Sequence, residues 1–172
     1  MNAELRTVLR GLLGARVSAA RRLTGGDINQ AYALTLSDGR SVFVKTHPGP
    51  PSGMFAAEAK GLAWLREADA IRVPDVIAYS DDRPAFLALE LLEPGPRQAD
   101  FDEQLGRQLA QLHAFGAEGF GLDQDNFIGR LPQRNTRHET WASFYWCERL
   151  SPQIEAAAKR GVLDAGTLAQ CR

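Results

Sequence analysis

Two charges sit where the pattern of the sequence asks for apolar side chains. Lys45 closes the run Val42-Phe43-Val44, which reads as a buried strand. Glu58 follows on a helical stripe with Phe55, Leu62 and Leu65. At about 100° per residue, Glu58 falls inside the apolar arc and not at its margin. An unpaired carboxylate there would be costly or would stay protonated, so it calls for a cation. Lys45, on the strand just before the intervening loop, is the nearest candidate by topology. Both members are then expected to be largely buried. Taken alone, the two read as an ordinary structural ion pair, or as a lysine snorkelling beside a glutamate at a stripe edge. In the right surroundings, a lysine held by a helix carboxylate is a phosphate-contacting group.

Those surroundings are the elements on either side. The first fifteen residues read as a short helix, with Leu5, Val8, Leu9, Leu12 and Leu13 in helical spacing. A strand from Val17 to about Leu23 leads into the turn "TGGDIN". "QAYALTL" and "RSVFVKTH" are two strands joined by a tight Asp38-Gly39 turn. "HPGPPSG" is a loop, and a helix follows from about Met54 to Asp69. "VPDVIAYS" and "PAFLALELL" are two further strands around the turn Asp81-Asp82-Arg83-Pro84.

The character changes at Pro94-Gly95-Pro96, and everything later reads as helix or loop. Asp100 is placed to cap a helix carrying Leu105, Leu109 and Leu112. "GAEGFGLDQDNFIGRLPQRN" is an irregular connection long enough to suggest function. A helix over Glu139 to Leu150 follows, and Ser151-Pro152 restarts a helix that Gly161 ends. The expected organisation is a first part over 1–93 and a second over 94–172, with the chain ending part-way through its second domain.

Composition narrows the class. A formal net charge of −1 removes the electrostatic case for nucleic acid or an anionic membrane as partner. Cys147 and Cys171 form neither a disulfide framework nor a metal-type pair, which suits a reducing cytoplasm. Glu4, Arg6 and Arg10 interrupt the N-terminal segment, so it has no signal-peptide core, and no apolar run reaches the length of a membrane span.

Strand, glycine turn, strand, hairpin, strand with lysine, helix with glutamate and two more strands is the element order of a protein-kinase-like N-terminal lobe. There the lysine faces the α- and β-phosphates of ATP and the helix glutamate holds it. Gly25-Gly26 would be the glycine turn over the phosphates, although alone such a pair is more often just a turn and the G-x-G-x-x-G spacing is absent. "ALELLEPGP" fits the hinge that offers backbone groups to adenine, and it also fits an ordinary strand end. Glu90 and Leu92 are expected to present C=O and N–H to a cleft whose wall includes Val44 and Leu89.

"GGDINQAY", "VFVKT", "MFAAEAKGLAWL", "IRVPDVIAYS", "LALELL", "LGRQLAQLHAFG", "FGLDQDNFIG", "LPQRN" and "WASFYWCERLSPQI" together resemble the fructosamine (ketosamine) kinase family, from about Thr24 to Ile154. The resemblance implies an α+β fold: a protein-kinase-like N-terminal lobe, an antiparallel sheet plus one helix, followed by a truncated and mainly helical C-terminal lobe. It implies ATP, with Mg²⁺, as cofactor. The implied acceptor is a sugar hydroxyl of a glycated amine, as a small molecule or on a glycated protein. By position it assigns Lys45 to phosphate, Glu58 to Lys45, Gly25 and Gly26 to the phosphate loop, and Glu90, Leu91 and Leu92 to the adenine hinge. Asp27 stands where relatives carry a cysteine in that loop.

The family's His-Gly-Asp type loop and later Asp-Pro segment, which supply the base and the metal-holding aspartate, do not occur before Arg172. No catalytic or metal residue is therefore assigned, and the 172 residues alone are expected to be inactive. "LDQDN" imitates a catalytic loop, but Asp123, Asp125 and Asn126 read better as capping and turn residues. His47, His113 and His138 read as structural, and Trp141, Phe144, Tyr145 and Trp146 as core. Helices after about Asp100 are expected to expose an apolar surface, covered most simply by pairing into a homodimer. The alternatives are a kinase for another sugar or amino alcohol, and a non-catalytic nucleotide-binding or interaction domain.

Overall fold

The computed structural model describes residues 1–24 and 28–170. The chain divides into two compact units, Met1–Gly116 and Ala117–Arg172. The first is built on an antiparallel sheet of β1 (Val17–Leu23), β2 (Gln30–Leu36), β3 (Ser41–Thr46), β4 (Val76–Ser80) and β5 (Phe86–Glu90). Their spatial order is β1-β2-β3-β5-β4. Helix α1 (Ala3–Leu13) precedes the sheet, α2 (Met54–Glu67) joins β3 to β4, and α3 (Phe101–Phe115) follows β5.

Strand alternation divides the core between the two faces of the sheet. Val42, Val44, Phe86 and Ala88 pack with Leu5, Leu9 and Leu13 of α1. Ala85, Leu87 and Leu89 pack with Phe55 and Ala59 of α2, joined by the partly buried Phe43 and Leu62. β5 lies between β3 and β4 and alternates strictly, which is why every residue from Phe86 to Leu89 is buried.

Local signals set the boundaries. Asn2 caps α1 by accepting the Leu5 N–H at 2.9 Å, and Gly14 ends it in the left-handed region. The Asp38-Gly39 turn closes as expected, with Gly39 at φ 87° and Asp38 Oδ1 accepting the Arg40 N–H at 3.1 Å. Asp100 does not cap α3 through its side chain; its carboxylate accepts from the Gln104 side-chain amide at 2.6 Å instead.

The second unit departs from the expectation of helix and loop alone. β6 (Asn126–Ile128) and β7 (Leu131–Gln133) form a hairpin across Gly129-Arg130, with Gly129 at φ 65°. Three-residue strands containing Pro132 are too short to show alternation in sequence. Thr140, not Glu139, begins the next helix: its Oγ1 accepts the Ser143 N–H at 3.2 Å. α4 (Trp141–Tyr145) passes through a π-helical turn (Trp146–Leu150) into α5 (Ser151–Lys159), and α6 (Ala165–Gln170) follows. Gly161, at φ 67°, closes α5, and the Val162 N–H bonds back to the Ala157 carbonyl at 3.0 Å.

The aromatic core expected here reduces to Phe144. Trp141, Tyr145 and Trp146 are exposed, while Glu148 is buried. The π turn inserts one residue into the helix by closing i→i+5 in place of i→i+4, so a face drawn at regular spacing through residues 141–150 is wrong beyond Tyr145. Among the described residues, no helix is long and apolar enough to cross a membrane.

Candidate functional site

Lys45 and Glu58 meet. Register places Lys45 opposite Ala31 of β2 and Leu87 of β5. Alternation turns its side chain to the face covered by α2. There the Lys45 Nζ donates to Glu58 Oε1 at 2.6 Å. The pair is not largely buried, because the two side chains keep 24% and 34% of their exposure. α2 seats on the sheet through Phe55, Ala59 and partly Leu62, while Leu65 is exposed. The arc is narrower than the stripe suggests, and Glu58 lies on its open side. An ammonium has three donors, and Glu58 is shown taking one of them.

Two contacts fix the helix that carries Glu58. Gly53 at its start has no side chain, and the cap comes from Asp81 in the β4–β5 turn. Asp81 accepts the N–H of Phe55 at 2.9 Å and of Ala56 at 3.1 Å. In the last turn, Arg66 pairs with Asp75, which lies just before β4. In sequence Asp81 is one polar residue of an evident turn, and nothing local shows which helix it reaches.

The expected hinge begins at the end of β5. Glu90 lies opposite Val42, and Lys45 opposite Leu87. The two residues are therefore about 10 Å apart along the strands. The Glu90 N–H donates to the Asp75 carbonyl at 2.8 Å, and its carboxylate accepts from Arg72 and, at 3.4 Å, from the Asp75 N–H. The Arg72 hydrogen bond lowers the pKa of the Glu90 carboxyl from its ordinary value, with desolvation opposing it. Beyond Glu90 the chain runs without regular structure, with Leu91 half-buried and Leu92 exposed.

The wall between these ends differs from expectation at one residue. Val44 is fully buried against α1, on the face opposite Lys45, because neighbours along a strand alternate. Leu89 does share the face of Lys45. Register adds Leu23, Ala31, Ala33 and Phe43 to that face. Gly25 and Gly26, assigned to the phosphate turn, and the neighbouring Asp27 lie outside the described residues.

In the second unit Asp125 and Asn126 are engaged in building the loop. Asn135, only 1% exposed, has its N–H accepted by Asp125 at 2.9 Å. Its side-chain amide donates to Asn126 Oδ1 and to the Gln124 carbonyl, each at 3.0 Å. Arg149 donates to Asn135 Oδ1 and lies over the Phe144 ring. Burial lowers the Arg149 pKa, and the charge of Glu148 opposes that. Glu148 is 3.2 Å from His138 Nε2 and 3.5 Å from Arg134. His138 Nδ1 is 2.7 Å from the Ser143 hydroxyl, and His47 Nδ1 accepts the Gly49 N–H at 3.0 Å. Among the described residues, no group of three or more His, Cys, Asp or Glu is placed to hold a metal ion.

The sequence profile of the family described as fructosamine kinase matches residues 1–171. The chain is 36% identical over 151 residues to the "Probable ketoamine kinase" of Klebsiella aerogenes, covering 87% of this chain and 52% of that one. It is 39% identical over 147 residues to a "Probable ketoamine kinase" of Synechocystis, covering 84% and 50%. The chain thus spans about half the length of the curated relatives it matches. Its fold is similar to the crystal structure of a "putative fructosamine-3-kinase" from Thermobifida fusca, with a TM-score of 0.86 at 34% identity over 98% of this chain and 59% of that one. A counterpart from Haemophilus somnus gives 0.80 at 27% identity, over 93% and 55%.

Proposed function

Because the chain belongs to the fructosamine kinase family, we propose that its five-stranded sheet and α2 hold ATP for phosphoryl transfer to a sugar hydroxyl of a glycated amine, free or on a protein. The observation that carries this is the 2.6 Å contact between Lys45 and Glu58 on the face of an antiparallel sheet. An ammonium that is fixed yet only partly buried suits a polyanionic ligand, whose charge it neutralises without a search of rotamers. ATP supplies the transferable γ-phosphoryl group and Mg²⁺ the counter-charge.

In this reading Lys45 contacts the α- and β-phosphates and Glu58 orients it. Gly25 and Gly26 close over the phosphates. Glu90, Leu91 and Leu92 offer backbone groups to adenine, over a floor that includes Leu23, Ala31 and Leu89. A reducing cytoplasm, the setting that Cys147 and Cys171 suit, goes with this reading. A second reading, nucleotide binding without transfer by these 172 residues, is favoured by the loop of the second unit. Asp125 and Asn126 are tied to Asn135. Under both readings the nucleotide site is the same, and turnover of a ketoamine by this chain is the measurement that separates them.

Calorimetric titration with ATP and Mg²⁺ tests the site. The expected result is saturable binding by the wild type and an affinity at least ~10-fold lower for Lys45→Ala, the worth of a charge-assisted contact. Equal affinities would overturn the assignment.

A further inference from the structure

We infer that Arg72 is a positioning residue for the adenine end of the nucleotide site, an inference that rests on the nucleotide-binding reading above. Arg72 lies in the connection between α2 and β4. Its guanidinium donates to the carboxylate of Glu90, the last residue of β5. The second oxygen of that carboxylate faces the Asp75 N–H at 3.4 Å, and the Glu90 N–H donates to the Asp75 carbonyl at 2.8 Å. Asp75 in turn pairs with Arg66 at the C-terminal end of α2.

Four residues on three segments therefore converge where the chain leaves the sheet. After Glu90 no ladder holds the backbone, so the direction in which residues 90–92 present C=O and N–H groups depends on how firmly Glu90 itself is fixed. Two sides of that residue are already set by the sheet, through Val42 and through Asp75. The carboxylate is the remaining handle, and Arg72 holds it. The same connection continues into α2, whose Glu58 fixes Lys45. One charged cluster thus ties the adenine end of the site to the helix that sets its phosphate end. Arg72 is 73% exposed, so its pair with Glu90 contributes little to global stability. Its consequence is local, in hydrogen-bond alignment at the hinge.

The test titrates the full chain with ATP, GTP and inorganic tripolyphosphate, comparing wild type, Arg72→Ala, Arg72→Lys and Lys45→Ala. Arg72→Ala should weaken ATP about five- to tenfold, the value of one misaligned hydrogen bond. It should also bring ATP and GTP affinities closer together while leaving tripolyphosphate binding unchanged and moving the neutral-pH unfolding midpoint only slightly. Arg72→Lys, which keeps the charge but not the planar fork, should restore only part of the loss. Lys45→Ala should weaken ATP and tripolyphosphate alike. If the wild type binds ATP and Arg72→Ala binds it equally, with the same preference over GTP, the positioning role is overturned while the nucleotide site stands. A loss of ATP and tripolyphosphate together would make Arg72 a general electrostatic contributor and overturn the assignment to adenine. If the wild type binds no nucleotide, the site reading fails and takes this inference with it.

Discussion

Asp81 accepts the backbone N–H of Phe55 at 2.9 Å, so a residue of the β4–β5 turn caps the helix that carries Glu58. Its second oxygen takes the next amide, of Ala56. A carboxylate there satisfies two helix donors and meets the positive end of the helix dipole. Asp81→Ala should lower the stability of the first unit by about 1–2 kcal/mol in urea, with Asp81→Asn recovering part of it. A midpoint unchanged by both variants would mean that water caps α2 as well as Asp81 does.

The partial exposure of Lys45 and Glu58 separates stability from binding. A deeply buried pair would cost several kcal/mol to break, but a pair this open should cost only about 1 kcal/mol. Glu58→Ala is therefore expected to unfold at nearly the wild-type denaturant concentration while losing most of its affinity for ATP. Chemical denaturation and calorimetry on one preparation decide the matter, and a loss of several kcal/mol would contradict the observed exposure.

Acid should loosen the cluster at Glu90 in a defined direction. Arg72 holds the folded pKa of Glu90 below its ordinary value. The associated stability is then fully present above the ordinary glutamate range and is lost as pH falls through the lower folded value. In Arg72→Ala that protection is absent, so the first unit should begin to unfold at a slightly higher pH on acid titration monitored by circular dichroism, the shift being small because the pair is exposed. The gap should shrink as salt is added, because the pair is exposed. Coincident curves at low salt would show that the pair carries no linkage.

The exposed aromatic face of the second unit should self-associate. Trp141 is 55% exposed and stacks on Tyr145, which is 42% exposed, with Trp146 and Leu150 nearby in sequence and similarly open. Apolar patches of more than about a few hundred Å² rarely stay bare, and two-fold pairing of one face with itself is the simplest cover. Light scattering should report a dimer for the wild type and a monomer for the double variant Trp141→Glu, Tyr145→Glu. A wild type that stays monomeric at high concentration would sink the idea.

The first unit was legible because its strands are long enough to show alternation and its turns carry Gly and Asp where the backbone needs them. Val17–Leu23, Gln30–Leu36 and Phe86–Glu90 fall where the pattern predicts, and so does the meeting of Lys45 with Glu58. The depth of that pair was not legible, because a helical wheel gives the direction of a side chain and not how far the helix sinks onto the sheet. Asp81 and Arg72 were illegible for another reason: their partners are distant in sequence, and a polar residue in a turn looks alike whether or not it is bonded. Glu148 escaped because its burial depends on contacts with His138 and Arg134 that only the folded unit brings together.

The π turn at Trp146–Leu150 has a bearing on how this stretch can change in length. Closing i→i+5 in place of i→i+4, it stores one residue beyond what an α-helix needs. Loss of a single codon elsewhere in the helix would rotate everything downstream by about 100°. Loss of one at Cys147 would let the turn relax to regular helix and leave Ser151–Lys159 facing as before. The segment acts as a slack link in the chain, a place where insertion and deletion are absorbed without redirecting the helix beyond it.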